Sequence, residues 1–252
     1  MGDLVCSEIK CAKTENLNVE NSGKVFLSEL AHHLPYATLS VACALMILSL
    51  IDVLFFKSGI VTSSVHHACD SLMHVENCCH HTSGMDILFH SFHFIHILFA
   101  VSGAMMTFYR YSKNIFLGMI VGVISASVFC TLSDVLLPYL AGTFLGVQMD
   151  LHICFFSELS NILPFLIVGT LNGLVMSYIK EFHSYQHSLL LHFFHTFVSA
   201  MASAFYAVGH GFSDFSGFIG IFFLLLLFAV VLPCTLSDIV VPIIFARMIG
   251  KK

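Results

Sequence analysis

Charge is what this chain has least of. Only 10% of its 252 residues are Asp, Glu, Lys or Arg, against 58% hydrophobic, with a mean hydropathy of +0.91. A water-soluble domain of this length hides its core under a charged surface, and there is too little charge here to build one. No basic patch occurs, which excludes nucleic acid as a partner. The alternating segments of about ten residues that mark a membrane β-barrel are also missing. The N-terminus lacks the charged-then-apolar pattern of a signal peptide, so residues 1–25 read as a polar cytoplasmic arm. A His-Glu-x-x-His hydrolase motif is likewise absent.

In place of charge there are apolar runs that reach or exceed about 20 residues, the length that crosses a bilayer. Their lengths and breaks place spans at 30–56, 87–109, 115–145, 157–179, 187–209 and 217–246. The expected fold is therefore all-α: a polytopic membrane protein of six transmembrane helices whose first partner is the lipid bilayer. The third and sixth runs exceed a simple crossing and must tilt or break at proline. Lys and Arg favour the cytoplasmic side. With both termini inside, Lys10, Lys13, Lys24, Arg110, Lys113, Lys180, Arg247, Lys251 and Lys252 are all cytoplasmic, and only Lys57 lies outside.

The chain is written twice. "SELAHHLPY" at 28–36 returns as "SELSNILPF" at 157–165. "FHFIHILFA" at 92–100 returns as "LHFFHTFVS" at 191–199, and "CTLSDVLLP" at 130–138 as "CTLSDIVVP" at 234–242. Three ordered matches that retain Glu, His, His, Asp, Cys and Pro define a first three-helix repeat over 26–145 and a second over 156–250. An odd number of spans per repeat turns the second copy upside down. That is the inverted-topology architecture of secondary transporters, whose substrate sites lie between the repeats.

The repeated polar residues point to a cation. His93 and His96, like His192 and His195, are three apart and share a helix face. Two imidazoles on one face hold a divalent ion or a proton network. An ionisable residue inside a span marks a functional site by default, and Asp134 and Asp238 are such residues. Pro138 and Pro242, lacking an N–H, free the carbonyl four residues back in a regular helix, that of the same Asp. Carboxylate and carbonyl would then face a cation from one residue. Cys130 and Cys234 share the Asp face as possible thiolate ligands. Glu29 and Glu158 open the first and fourth spans, either as ligands or as favourable charges at a helix N-terminus.

Depth along the helices predicts two half-sites on opposite sides of the membrane. One takes His93, His96 and Asp134 with Glu158; the other takes His192, His195 and Asp238 with Glu29. Tilted or broken spans would merge them into one dinuclear centre near the midplane, and both arrangements stay open. Mixed imidazole and carboxylate ligands suit zinc first, then iron or manganese, over magnesium or calcium.

Histidine itself is overrepresented: 16 His outnumber 10 Lys plus Arg. Nine Cys is an odd number, so they cannot all pair internally. Many of these residues crowd the outer loop 57–86, which has no counterpart in the second repeat: His66, His67, Cys69, His74, Cys78, Cys79, His80 and His81. Such density reads as additional metal binding without a tetrahedral zinc spacing. A disulfide or a linker is the plain alternative.

Together these features predict a transporter of a divalent transition metal working by alternating access, with protons as a possible coupling ion, and no enzyme. A membrane-embedded di-iron enzyme and a haem-binding electron carrier are the competing classes. Small-residue stretches such as "AVSGAMM" permit close helix packing, within the chain or in a homo-oligomer.

Overall fold

The computed structural model describes residues 22–57, 84–154, 158–179, 185–212 and 215–250, which contain helices and connecting loops and no strand. Helix α1 runs Ser22–Ile51 and continues as a π-helical segment, Asp52–Lys57. α2 is Gly84–Tyr111 and α3 is Ile115–Thr131, with the Asn114 side chain accepting from the N–H of Leu117 at the α3 start. A π-helical segment, Leu132–Leu136, leads into α4, Leu137–Phe144. α5 is Leu159–Tyr178 and α6 is Tyr185–Gly209. A short 3-10 turn, Phe215–Phe218, opens α7, Ile219–Thr235. A second π-helical segment, Leu236–Val240, leads into α8, Val241–Gly250.

Among the described residues five segments are long and apolar enough to cross a membrane: His33–Leu54, Gly84–Tyr111, Ile115–Phe144, Leu159–Tyr178 and Phe215–Ile249. The expected span at 187–209 forms α6 but is not one of these five. The side chains of 185–191, the first part of α6, lie outside the described residues, and the remainder carries His192, His195, Thr196, Ser199 and Ser203, all buried. Every residue from Val198 to Ala207 is buried, so this stretch of α6 is enclosed on all sides, while Phe194 one turn earlier is exposed. The outside of the bundle is the apolar surface. Leu39, Ile124, Val128, Ile167, Leu171, Leu224 and Phe228 are exposed there while the histidines are inside. That inversion of the usual pattern suits a hydrocarbon solvent.

The His-x-x-His helices pack α2 on α5 and α6 on α1, and the two also pack on each other. The α2–α5 contact is backbone-close. A Cβ at Gly169 would lie 2.8 Å from Leu98 O, and one at Gly173 2.9 Å from Ser102 Cα. Ser102 Oγ donates to Gly169 O at 2.9 Å, and Asn172 Nδ2 donates to Ser102 Oγ at 3.1 Å. This is small-xxx-small packing with a polar tie.

Both π-helical segments fall on the duplicated "CTLSD" motif. Leu137 N–H bonds Leu132 O and Val241 N–H bonds Leu236 O, five residues back in each copy. This register corrects one expectation. In an i to i−5 pattern the carbonyl that proline leaves free is that of Ser133 or Ser237, not of the Asp. Each is taken by a buried hydroxyl: Ser203 Oγ donates to Ser133 O and Ser125 Oγ to Ser237 O, both at 3.0 Å. The π turn thus puts the vacancy left by proline on a serine carbonyl that a hydroxyl fills, beside the buried Asp side chain.

Candidate metal centre

The two His-x-x-His helices and the two π turns converge on one buried polar cluster. Asp134 is 0% exposed, His93 0%, His96 1%, His195 2% and Asp238 6%, so the cluster is buried. Asp134 Oδ2 accepts from His93 Nδ1 at 2.8 Å and from His96 Nδ1 at 2.7 Å. Its other oxygen accepts from Ser133 Oγ at 2.7 Å and Ser199 Oγ at 3.0 Å. Across the centre, His195 Nδ1 lies 2.5 Å from Asp238 Oδ2. His96 Nε2 and His195 Nε2 meet at 2.7 Å. A continuous line Asp134–His96–His195–Asp238 therefore joins the two halves.

The hydrogens on this line can be counted. Carboxylates accept, so the Nδ1 atoms of His96 and His195 each carry a hydrogen. A 2.7 Å contact between their Nε2 atoms holds one more. The ring pair thus shares a single positive charge between two carboxylates, and the centre is left net negative.

Two thiols flank the shared position. Cys234 Sγ is 3.6 Å and Cys130 Sγ 3.8 Å from His96 Nε2, both buried. His96, His195 and Cys234 bring donor atoms within 4.8 Å of one another. In a tetrahedral zinc site, nitrogen and sulfur ligands sit about 3.6 Å apart and two nitrogens about 3.3 Å. The sulfur distances to His96 already match; the two imidazoles need to part by about 0.6 Å on that geometry. Both carboxylates lie behind the imidazoles, on Nδ1, where they fix ring orientation and raise basicity.

The remaining candidates are placed as follows. His192 is buried beside His195, but its ring packs on His33 (centroids 4.0 Å), not against Asp238. His33, Gly103, Thr107, His192, His195 and Asp238 line one small pocket on the far side of the centre from His93. Glu158 stands at the start of α5, where it accepts from Asn161 Nδ2 at 2.5 Å and is partly exposed; its recorded bond is there and not in the cluster. The side chain of Glu29 and loop residues His66, His67, Cys69, His74, Cys78, Cys79, His80 and His81 lie outside the described residues, as does the arm before Ser22.

Sequence reasoning missed three groups. His33 was legible as the extra histidine of "SELAHHLPY", where the second copy has Ile162. Ser199 and Ser203 were legible as the hydroxyls that α6 carries where α2 has Ala100 and Ala104. A second cluster, His90, His152 and Cys154, carried no pairing signal, because its members are separated by half a repeat. Burial pushes the Cys154 thiol up to about 12, with the carboxylates of Asp86 and Glu158 adding to it.

Comparison with known proteins gives no match, whether to a family model, a curated protein or a solved structure.

Proposed function

We propose that this protein moves a divalent transition-metal ion across a membrane, exchanging it for protons at a Cys/His centre shared by two inverted three-helix halves. Six spans are counted in this reading, α6 being the enclosed one. The swapped packing of α2 on α5 and α6 on α1 supports the two-half arrangement, as do the matching π turns.

The observation that carries the reading is the His96–His195 contact at 2.7 Å, backed on both sides by carboxylate. One proton there leaves two carboxylates undercompensated; a divalent cation in its place brings two positive charges for one, and each cysteine that ligates it releases its thiol proton as well. Buried charge is tolerated when it is paired, so proton and metal compete for one position. The ligands are His96, His195, Cys234 and Cys130, a soft N₂S₂ set that favours zinc. Asp134 and Asp238 are positioning residues, and His93, with His192 and His33, lines the path on either side. A carboxylate-bridged di-iron centre needs carboxylate oxygens facing the ions, whereas these face Nδ1 atoms.

Uptake of zinc into proteoliposomes tests this. Wild-type flux should rise when the opposite compartment is made acidic, and His195→Ala and Cys234→Ser should abolish it. Undiminished flux in both variants would sink the reading.

A further inference from the structure

A second set of metal-type donors lies away from the centre, where α2 begins. Asp86 and His90 stand in its first two turns, and the 147–154 segment folds over them. That segment is held by backbone: Asp150 N–H donates to His210 O at 3.1 Å, and His152 N–H to Tyr206 Oη at 3.1 Å. Cys154, fully buried, follows at its end.

The donors converge. His90 Nε2, a His152 nitrogen and Cys154 Sγ lie within 4.8 Å of one another. Cys154 Sγ is 3.4 Å from His90 Nε2, close to the about 3.6 Å edge of a tetrahedral N/S zinc site. The His90 ring is oriented from behind, as metal-bound histidines are. His90 donates Nδ1–H to Asp86 O at 2.8 Å, which leaves Nε2 with its lone pair toward Cys154. His152 stacks on His210 (centroids 6.1 Å, 15°), whose own Nδ1 bonds Tyr206 O at 3.0 Å. Asp86 Oδ1, 3.4 Å from His90 Nδ1, supplies negative charge beside the set.

The position adds a second argument. His90, His93 and His96 follow at three-residue steps along α2, about 4.5 Å apart in rise. His93 Nε2 is buried and has no hydrogen-bond partner, so its lone pair is available between the two sets.

We infer that His90, His152 and Cys154 form a second site for a zinc-type divalent cation at the mouth of the bundle, one helical turn from His93. Binding there stands on these residues alone; its role as a station that passes the ion to His93 rests on the transport reading above. The fourth position is open to water or to a second donor, as in sites that exchange their metal.

Cobalt(II) titration of the detergent-solubilised full chain tests the site, in a background with Cys69, Cys78 and Cys79 replaced by serine. Two equivalents should bind, with a thiolate-to-cobalt charge-transfer band. Cys154→Ser and His152→Gln should each remove one equivalent and part of the band; Cys234→Ser should remove the other. Cys154→His keeps a ligand and guards against misfolding: it should hold two equivalents and lose only the Cys154 share of the band. Full stoichiometry and band in both Cys154→Ser and His152→Gln, with Cys234→Ser still losing one equivalent, overturns this site and leaves the central one standing. The mirror result, loss only with Cys154→Ser and His152→Gln, upholds this site and overturns the central one. An unchanged band in Cys154→His also refutes it.

Discussion

Replacing Asp134 by Asn separates a carboxylate that orients histidines from one that binds metal. The substitution changes no volume. The amide oxygen can take the place of Oδ2 and accept from His93 and His96, as the carboxylate does at 2.8 and 2.7 Å. The amide nitrogen then faces Ser133 Oγ and Ser199 Oγ, at 2.7 and 3.0 Å, and both hydroxyls can turn to accept. Asp134→Asn therefore fits the pocket with every bond remade and only the charge lost. What falls is the basicity of His96, so metal affinity should drop by about 10–100-fold, or about 1.4–2.7 kcal/mol. Cys234→Ser, which removes a ligand, should cost more.

The assay is competition for zinc between the purified protein and a chromophoric chelator, with folding followed by circular dichroism. Unchanged affinity in Asp134→Asn would refute the orienting role. Loss equal to that of Cys234→Ser would make Asp134 a direct ligand and refute its purely orienting role. Asp238→Asn should be harsher on folding, because Asp238 Oδ1 is buried with no hydrogen-bond partner and an amide N–H₂ there would have no acceptor.

Three further outcomes follow from the packing. Gly173→Ala pushes a methyl to 2.9 Å from Ser102 Cα on backbone that cannot yield, and should destabilise by about 1–3 kcal/mol, read as a lower melting temperature in detergent. Gly211 has φ +130 and sits against the Gln148 carbonyl; Gly211→Ala should cost about 1–3 kcal/mol and weaken binding at the His90–His152–Cys154 site before the central one, measured by the cobalt titration. Stripping metal with a chelator should leave helix content unchanged, since the apolar cluster around Leu48, Phe89, Phe205 and Leu226 does not depend on an ion; collapse of the circular-dichroism signal would refute that.

The sequence made the apolar helices and the buried His and Asp legible, because each rests on local pattern. Run length sets the spans, three-residue spacing puts two histidines on one face, and an intramembrane Asp must point inward. What was not legible depends on helix register and on long-range placement. A proline four residues after Asp134 predicts a free Asp carbonyl only in a regular helix; the π turn moves that vacancy to Ser133, where Ser203 fills it. Glu158 reads in the sequence either as a ligand or as a charge at a helix start, and it stands at the start of α5, accepting from Asn161. His90, His152 and Cys154 come together only when the 147–154 segment folds against α6, which no periodicity announces.

The duplication also explains why the centre is unequal. Copying a helix copies its register, so both halves deliver His, Asp and Cys to matching places. The neighbours were not copied. Where α6 has Ser199 to bond Asp134, α2 has Ala100, and beside Asp238 stands Gly103, whose Cβ position lies 3.1 Å from Asp238 Oδ2. Asp134 therefore holds two histidines and two hydroxyls, while Asp238 holds His195 alone, with one oxygen facing no partner. His192, released from that Asp, packs on His33 instead. The half that contains Asp134 is thus the rigid one. Asp238 has the spare acceptor and the adjoining pocket, so in the proposed exchange the imidazole that moves to admit a metal in place of the shared proton is His195 rather than His96.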